Sequence, residues 1–128
     1  MNVLTTEGVQ VSVKTAYQAA HSQPRANHFV FSYHITIENK SNYTVQLLRR
    51  HWYIYDSNGE VNEVEGEGVI GQQPILEPKE KHQYTSACVL ETGMGKMRGY
   101  YLMERIADGK LFKVQIPEFM LIAPFLNN

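Results

Sequence analysis

The sequence has little cysteine, no long apolar run and no excess of charge of either sign. A single cysteine, Cys88, excludes an intrachain disulfide and predicts a reducing compartment. The longest apolar run, from Phe119 to Leu126, contains Pro124 and is too short to span a bilayer. Twelve basic residues oppose 13 acidic ones, a formal net charge of −1. No general electrostatic attraction to nucleic acid or to an anionic membrane is therefore expected.

The N-terminal segment also lacks the basic region and apolar stretch of a signal peptide. Together with the single cysteine, this predicts a cytoplasmic protein. The 128 residues are the length of one domain, with no linker, repeat or low-complexity tract between residues 1 and 128.

Helical periodicity is missing as well, whereas two-residue alternation of apolar and polar side chains is widespread. The alternation is clearest over residues 9–17 and 29–38, and further strands are predicted at 44–56, 60–65, 81–90, 97–106 and 111–116. Asp108-Gly109 predicts the last hairpin turn. Seven to eight strands with two-faced alternation predict an all-β, antiparallel sandwich. The predicted core includes Val11, Phe31, Tyr33, Ile35 and Trp52.

A glycine pattern, Gly66-x-Gly68-x-x-Gly71, resembles a dinucleotide-binding fingerprint in its letters. Its context does not fit, because Pro74 and Pro78 follow within seven residues of Gly71 and no helical stripe begins there. We interpret the glycines as conformational. The alternative is an anion-binding nest of backbone N–H groups for a pyrophosphate.

The basic cluster Arg49-Arg50-His51 lies in a predicted strand, where neighbouring side chains point to opposite faces. Arg50 then shares the core side with Leu48 and Trp52, so it needs a carboxylate or carbonyl partner. Arg49 and His51 share the other face. They are the candidate ligand-binding pair, together with Gly66, Gly68 and Gly71.

Acidic residues at two-residue spacing, Glu63, Glu65 and Glu67, could offer oxygen ligands to a divalent cation. Such spacing is more typical of a solvated edge strand, and the histidines show no paired metal-ligand spacing. We predict no metal site and no cofactor. No nucleophile motif or paired carboxylates can be placed by spacing, so no catalytic residue is assigned and an enzyme is not expected.

The C-terminal segment from Phe119 to Phe125 is strongly apolar. Such a segment must be covered by the protein's own sandwich or by another subunit, so a homo-oligomer formed through it is one of the two expectations.

The order and spacing of some twenty residues carry a family resemblance. They include Arg50-His51-Trp52, Gly66-Glu67-Gly68-Val69, Gly71, Gln73-Pro74, Pro78, Gly95, Met97, Gly99, Tyr101, Ile116-Pro117 and Phe119. This pattern resembles the ApaG family and covers almost the whole chain. One departure is Lys79, where the family usually has glycine after the proline.

The resemblance implies a fibronectin type III-like or immunoglobulin-like sandwich in a bacterial cytoplasmic protein. The family is named for genes often found beside a diadenosine tetraphosphate hydrolase. Its other label, CorD, implies a link to cobalt and magnesium handling. Similar domains attached to eukaryotic F-box and polymerase-interacting proteins imply a protein-interaction module. The resemblance supplies no catalytic residue.

We therefore predict a non-enzymatic binding module with a protein partner. The alternative is a binder of a nucleotide polyphosphate or another phosphate anion. A phosphate binder needs a basic concavity, whereas a protein-binding module should present an apolar patch or a free sheet edge.

Overall fold

In a computed structural model of the protein, which describes residues 2–126, two antiparallel sheets pack face to face. The first sheet has the order β1-β2-β3-β7, and the second has the order β5-β4-β8-β9, with β6 beside one end of β4. The strands are β1 (Asn2–Thr6), β2 (Val9–Tyr17), β3 (Phe29–Asn39), β4 (Val45–Asp56), β5 (Val61–Glu67), β6 (Ile75–Leu76), β7 (Lys81–Leu90), β8 (Met94–Arg105) and β9 (Lys110–Ile122). The predicted all-β sandwich is confirmed.

The core lies between the two sheets, because alternate residues of each strand point inward. Trp52 is 3% exposed, and its ring meets Tyr33 edge-on at 5.3 Å and Phe119 at 5.9 Å between centroids. All five residues predicted for the core are buried: Val11, Phe31, Tyr33, Ile35 and Trp52.

The chain forms nine strands among the described residues, two more than the seven ranges predicted. The additional strands are β1, whose residues are mostly exposed, and the two-residue β6. Exposed residues such as Val3 and Leu4 give no alternating burial signal, and two residues are too few to show any period.

A bulge at Leu48 shifts the register between β4 and β8. The strict alternation expected through Leu48 is interrupted there: Leu47 is 1% exposed and fills the core, while Leu48, like Arg50, is partly buried. Beyond the bulge the alternation holds, with Arg50 directed inward and Arg49 outward.

The apolar C-terminal segment continues β9 rather than following it. A second bulge lies where Met97 pairs with Phe119 but Gly99 pairs with Ile116, and it accommodates Pro117 inside the strand. Phe119, Leu121 and Ala123 then enter the protein's own core, each 3% exposed or less. The ring of Phe125 packs on Phe29 and Tyr17, while its other side is exposed.

Loops complete the sandwich. Residues 18–28 join β2 to β3 through two short 3-10 turns, Ala19–His21 and Pro24–Ala26. Lys79 adopts a φ of 76°, so the turn before β7 keeps a conformation that glycine favours. Among residues 2–126 there is no helix of the length and apolarity that a membrane crossing requires.

Candidate functional site

The glycine-rich segment between β5 and β6 contains a tight two-residue hairpin turn. The Val69 N–H donates to the Gln72 carbonyl at 2.8 Å, and the Gln72 N–H donates to the Val69 carbonyl at 3.0 Å. Ile70 and Gly71 between them have φ values of 47° and 72°, the positive pair that a type I′ turn requires. Gly68 has a φ of 62°, and a Cβ there would stand 2.2 Å from the Gln72 carbonyl oxygen. The conformation of this segment therefore requires Gly68 and Gly71.

The amide groups of two of the three glycines, Gly66 and Gly68, are engaged inside the fold. The Gly68 N–H donates to the Leu48 carbonyl at 2.9 Å. Because hydrogen-bonded pairs recur at every second residue of an antiparallel ladder, the N–H of Gly66, which pairs with Arg50, also points to β4. These two N–H groups are not directed at a common point in solvent, as an anion nest requires.

The side chain of Arg50 accounts for the glycine at position 66. Its guanidinium Nη1 donates to the carbonyl oxygens of Glu67 at 2.9 Å and Gly68 at 3.0 Å. The expectation that Arg50 finds a carboxylate or carbonyl partner is thus confirmed, and the partners are carbonyls. A Cβ on Gly66 would lie 3.2 Å from the guanidinium nitrogens, so Gly66 leaves room for the arginine to cross β5.

Arg49 and His51 lie on the outer face of the second sheet. Together with Arg50, Lys113, Tyr100, Leu102 and the edge residue Glu65, they line a cavity of about 110 Å³. No glycine of the Gly66–Gly71 segment lines it. The structure therefore places Arg49 and His51 together but does not join them to the glycines in one site.

His51 is the centre of a ladder of aromatic and charged side chains. Its Nε2 lies 3.0 Å from a Glu63 carboxylate oxygen and its Nδ1 lies 3.1 Å from a Glu65 oxygen. The rings of Tyr53 and Tyr100 stack on either side at 4.8 Å and 5.0 Å. The Nδ1 atom also lies 3.2 Å from the Tyr100 hydroxyl, so both ring nitrogens of His51 have polar partners.

Cations cover the other faces of those tyrosines. Arg98 lies 4.3 Å from the Tyr53 ring centroid, and the Lys113 ammonium lies 4.6 Å from that of Tyr100. Stacking on both sides leaves little aromatic face for a planar ligand. The face is a network of paired charges rather than an open stacking platform.

The single thiol is buried, and the acidic groups form no metal-binding cluster in the part of the chain that is described. Burial raises the pKa of the Cys88 thiol to about 11, which keeps it protonated and unreactive at neutral pH. Within residues 2–126, no three His, Cys, Asp or Glu side chains converge to hold a metal ion. Hydrogen bonding to His51 lowers the pKa of Glu63, which holds that carboxylate ionised beside the imidazole.

The clearest open feature is the outer edge of β7. Asn39 of β3 exchanges backbone hydrogen bonds with the chain just before β7, donating to the Glu80 carbonyl at 3.0 Å and accepting from the Lys79 N–H at 2.7 Å. Odd-numbered residues of β3 therefore bond towards β7, and their partners are the even-numbered residues of β7. The backbone groups of the odd-numbered residues point away from the sheet. After Lys81, the first residue of the strand, they belong to Gln83, Thr85, Ala87 and Val89, and no backbone hydrogen bond within residues 2–126 reaches these four.

The other sheet edges carry features that obstruct strand pairing. β5 has glutamate at every second position from Glu63 to Glu67. β1 and β9 face one another along one side of the sandwich, where the Gln115 N–H donates to the Thr6 hydroxyl at 3.2 Å and Lys110 pairs with Glu7 at 3.0 Å. By contrast, β7 pairs with β3 over ten positions without a register shift, contains no proline, and carries one charged residue outside its histidine, Lys81.

Sequence analysis missed two of these features. The β7 edge depends on strand order, which alternation does not encode. The turn at Ile70-Gly71 has only a weak sequence signal. Gly71 is the usual second residue of a type I′ turn, but the usual first residue is asparagine or aspartate and not isoleucine.

Comparisons with known proteins agree with the resemblance. The ApaG domain family, DUF525, matches residues 19–105. A protein from Brucella canis named Protein ApaG is 45% identical over 119 residues, which cover 93% of this chain and 91% of the relative. Another Protein ApaG, from Proteus mirabilis, is 43% identical over 98% of this chain and its own whole length.

A solved structure gives the same result for the fold. A crystal structure described as an ApaA protein from Bordetella pertussis superposes with a TM-score of 0.88 at 42% identity, and covers 91% of this chain and 94% of that one.

Proposed function

Because this chain belongs to the ApaG family, we propose that it is a binding module without catalytic activity of its own, and that its partner is a protein. The observation that carries the proposal is the open edge of β7, from which the backbone groups of four residues point outward without a hydrogen-bonded partner. An exposed edge of this kind accepts an additional strand from another chain.

Proline at an outward-pointing position tests the proposal. Thr85→Pro removes an N–H that faces solvent and leaves the bonds between β7 and β3 in place, so the sandwich should still fold. Thr85→Val is the matched control, because it keeps the N–H and loses the same hydroxyl contact to His34.

Both variants and the wild type would be immobilised and exposed to a cytoplasmic extract, and the bound proteins identified by mass spectrometry. The proposal predicts a protein retained by the wild type and Thr85→Val but not by Thr85→Pro. Equal retention of the same protein by all three would exclude the β7 edge as its binding site. The extract is cytoplasmic because the proposal includes that location, which the single buried cysteine supports.

A second candidate function is binding of a phosphate anion, favoured by the cavity where Arg49, His51 and Lys113 converge. Glu65 also lines this cavity and would repel an anion. Titration calorimetry with pyrophosphate and with a diadenosine polyphosphate tests it, with Lys14→Ala, on the other sheet, as the control. Heat that is lost in Arg49→Ala and at high salt would support this candidate, whereas no heat at millimolar ligand would remove it.

A further inference from the structure

From the conformation of Ile70, we propose that the glycine turn is a recognition element and that Ile70 anchors an extended segment of the partner protein as that segment pairs with β7. The segment carries an apolar residue beside lysine or arginine. This inference rests on the proposed function and adds to it the contact residue and the chemistry of the partner.

The first argument is the strain at Ile70. A β-branched residue at a φ of 47° is an outlier, since its side chain crowds the backbone in the left-handed region. Asparagine or glycine would fit this turn better. The Ile70 side chain is 61% exposed, so packing in the core does not offset the strain. Backbone strain at an exposed apolar residue is typical of a binding site.

The second argument is the position of the turn relative to the β7 edge. A groove of about 280 Å³ separates them, lined on one side by Val69, Ile70 and Gln72 and on the other by residues 82–85 of β7. A strand that bonds the outward backbone groups of Gln83 and Thr85 must run beside this groove. Side chains on one face of the added strand would then meet Ile70.

The third argument is charge. In the segment that leads into the turn, Glu63 and Glu65 are engaged by His51, whereas Glu67, next to the turn, forms no ion pair within residues 2–126. The facing stretch of β7 has Lys81 as its single lysine or arginine. Glu67 can therefore pair with a lysine or arginine that stands beside the apolar anchor of the partner segment.

A displayed library of random peptides, about the length of the ten-residue β7, tests the inference. Peptides selected on the wild type would be titrated against four variants. Ile70→Asn removes the anchor and relieves the strain, Thr85→Pro blocks the edge, and Thr85→Val is the edge control. Ile106→Asn is the control for loss of an exposed isoleucine, because Ile106 is 45% exposed in the β8–β9 turn.

We expect selected peptides to combine an apolar residue with lysine or arginine, and Ile70→Asn to weaken binding at least about tenfold. The same variant should raise the thermal midpoint, because asparagine relieves the backbone strain at this positive φ. Its effects on binding and on stability should therefore have opposite signs. Thr85→Pro should abolish binding, and the two controls should bind as the wild type does.

Each other outcome overturns a different part. If Thr85→Pro blocks binding and Ile70→Asn does not weaken it, the anchor is excluded and the β7 edge stands. Enrichment of acidic peptides contradicts the charge argument. If no peptide is enriched, both the inference and the docking of a segment at β7 fail. Self-association that Thr85→Pro abolishes, measured by sedimentation, would identify a second copy of this chain as the occupant and overturn the partner segment.

Discussion

The guanidinium of Arg50 crosses β5 directly over Gly66, where a Cβ would stand 3.2 Å from either terminal nitrogen. The arginine thereby reaches two carbonyl oxygens at the start of the glycine turn. One inward-pointing cation thus fixes the path of a segment whose letters resemble a nucleotide-binding motif.

Alanine at the three glycines should destabilise the protein in a definite order. Gly68→Ala should cost most, more than the ~1 kcal/mol expected from a positive φ alone, because its Cβ also meets a carbonyl oxygen. Gly71→Ala should cost about 1 kcal/mol, since its φ is 72° but the surrounding space is open.

Gly66→Ala should act through Arg50 alone, because the φ of Gly66 is not positive. An Arg50→Ala background should therefore reduce the cost of Gly66→Ala and leave the cost of Gly68→Ala unchanged. Urea unfolding of the single and double variants measures both effects. Equal costs at all three glycines would contradict this account of the turn.

Trp52→Ala should cost about 3–5 kcal/mol, as the truncation of a large buried aromatic does. The ring is 3% exposed; it meets Tyr33 of the facing sheet and Phe119 of its own sheet. Chemical denaturation measures the loss. A cost under about 1 kcal/mol would mean that this side chain does not join the sheets.

The part of β9 beyond Pro117 should be essential for folding, while the last residues should not. Leu121→Ala should cost about 2–5 kcal/mol because Leu121 is fully buried. Deletion of 117–128 should lower the melting temperature and solubility far more than deletion of 124–128, a range that includes residues 127–128 outside the described part. If the longer deletion kept its melting temperature and solution mass, this segment would be dispensable.

Alternation in the sequence predicts β2, β3 and β7 closely, because each has one face on the core and one in solvent. It does not predict the bulge at Leu48, since one extra residue shifts the phase and neighbouring leucines satisfy either register. The predicted last strand ends at residue 116 for a similar reason. The sequence does not show that a bulge accommodates Pro117 and lets β9 continue to Ile122.

The candidate site was less predictable than the fold. Alternation correctly places Arg49 and His51 on one face of the strand and Arg50 on the other, because this requires only the two-residue period of a strand. The partners of His51 depend on which strands lie beside β4. Lys113 reaches the same cavity from β9, more than sixty residues further along the chain. Such neighbours follow from topology and not from local pattern.

Acid should weaken the protein partly through Glu63 and His51. The pKa of Glu63 is lowered in the folded protein from its usual 4.5, first by its hydrogen bond to His51. A carboxylate with a lowered pKa contributes stability above its unfolded pKa, and this contribution is lost as the pH falls through the folded value. Between about pH 5 and pH 3, the wild type should therefore lose more stability than His51→Gln.

Unfolding by urea at several pH values measures this difference. The pair of Arg105 and Asp108, which lowers the pKa of Asp108 to about 2, titrates in the same direction but is common to both proteins. Parallel stability profiles for wild type and His51→Gln would show that the contact between His51 and Glu63 does not contribute.

Amide hydrogen exchange along β7 tests the central claim, that the open edge of this strand receives a partner, most directly. In the free protein, the amides of Tyr84, Ser86 and Cys88 should be protected by their bonds to β3, while those of Gln83, Thr85, Ala87 and Val89 should exchange rapidly. When the retained partner or a selected peptide is added, the second set should become protected. If those four amides are already slow in the free protein, or stay fast when the partner is bound, the claim is contradicted.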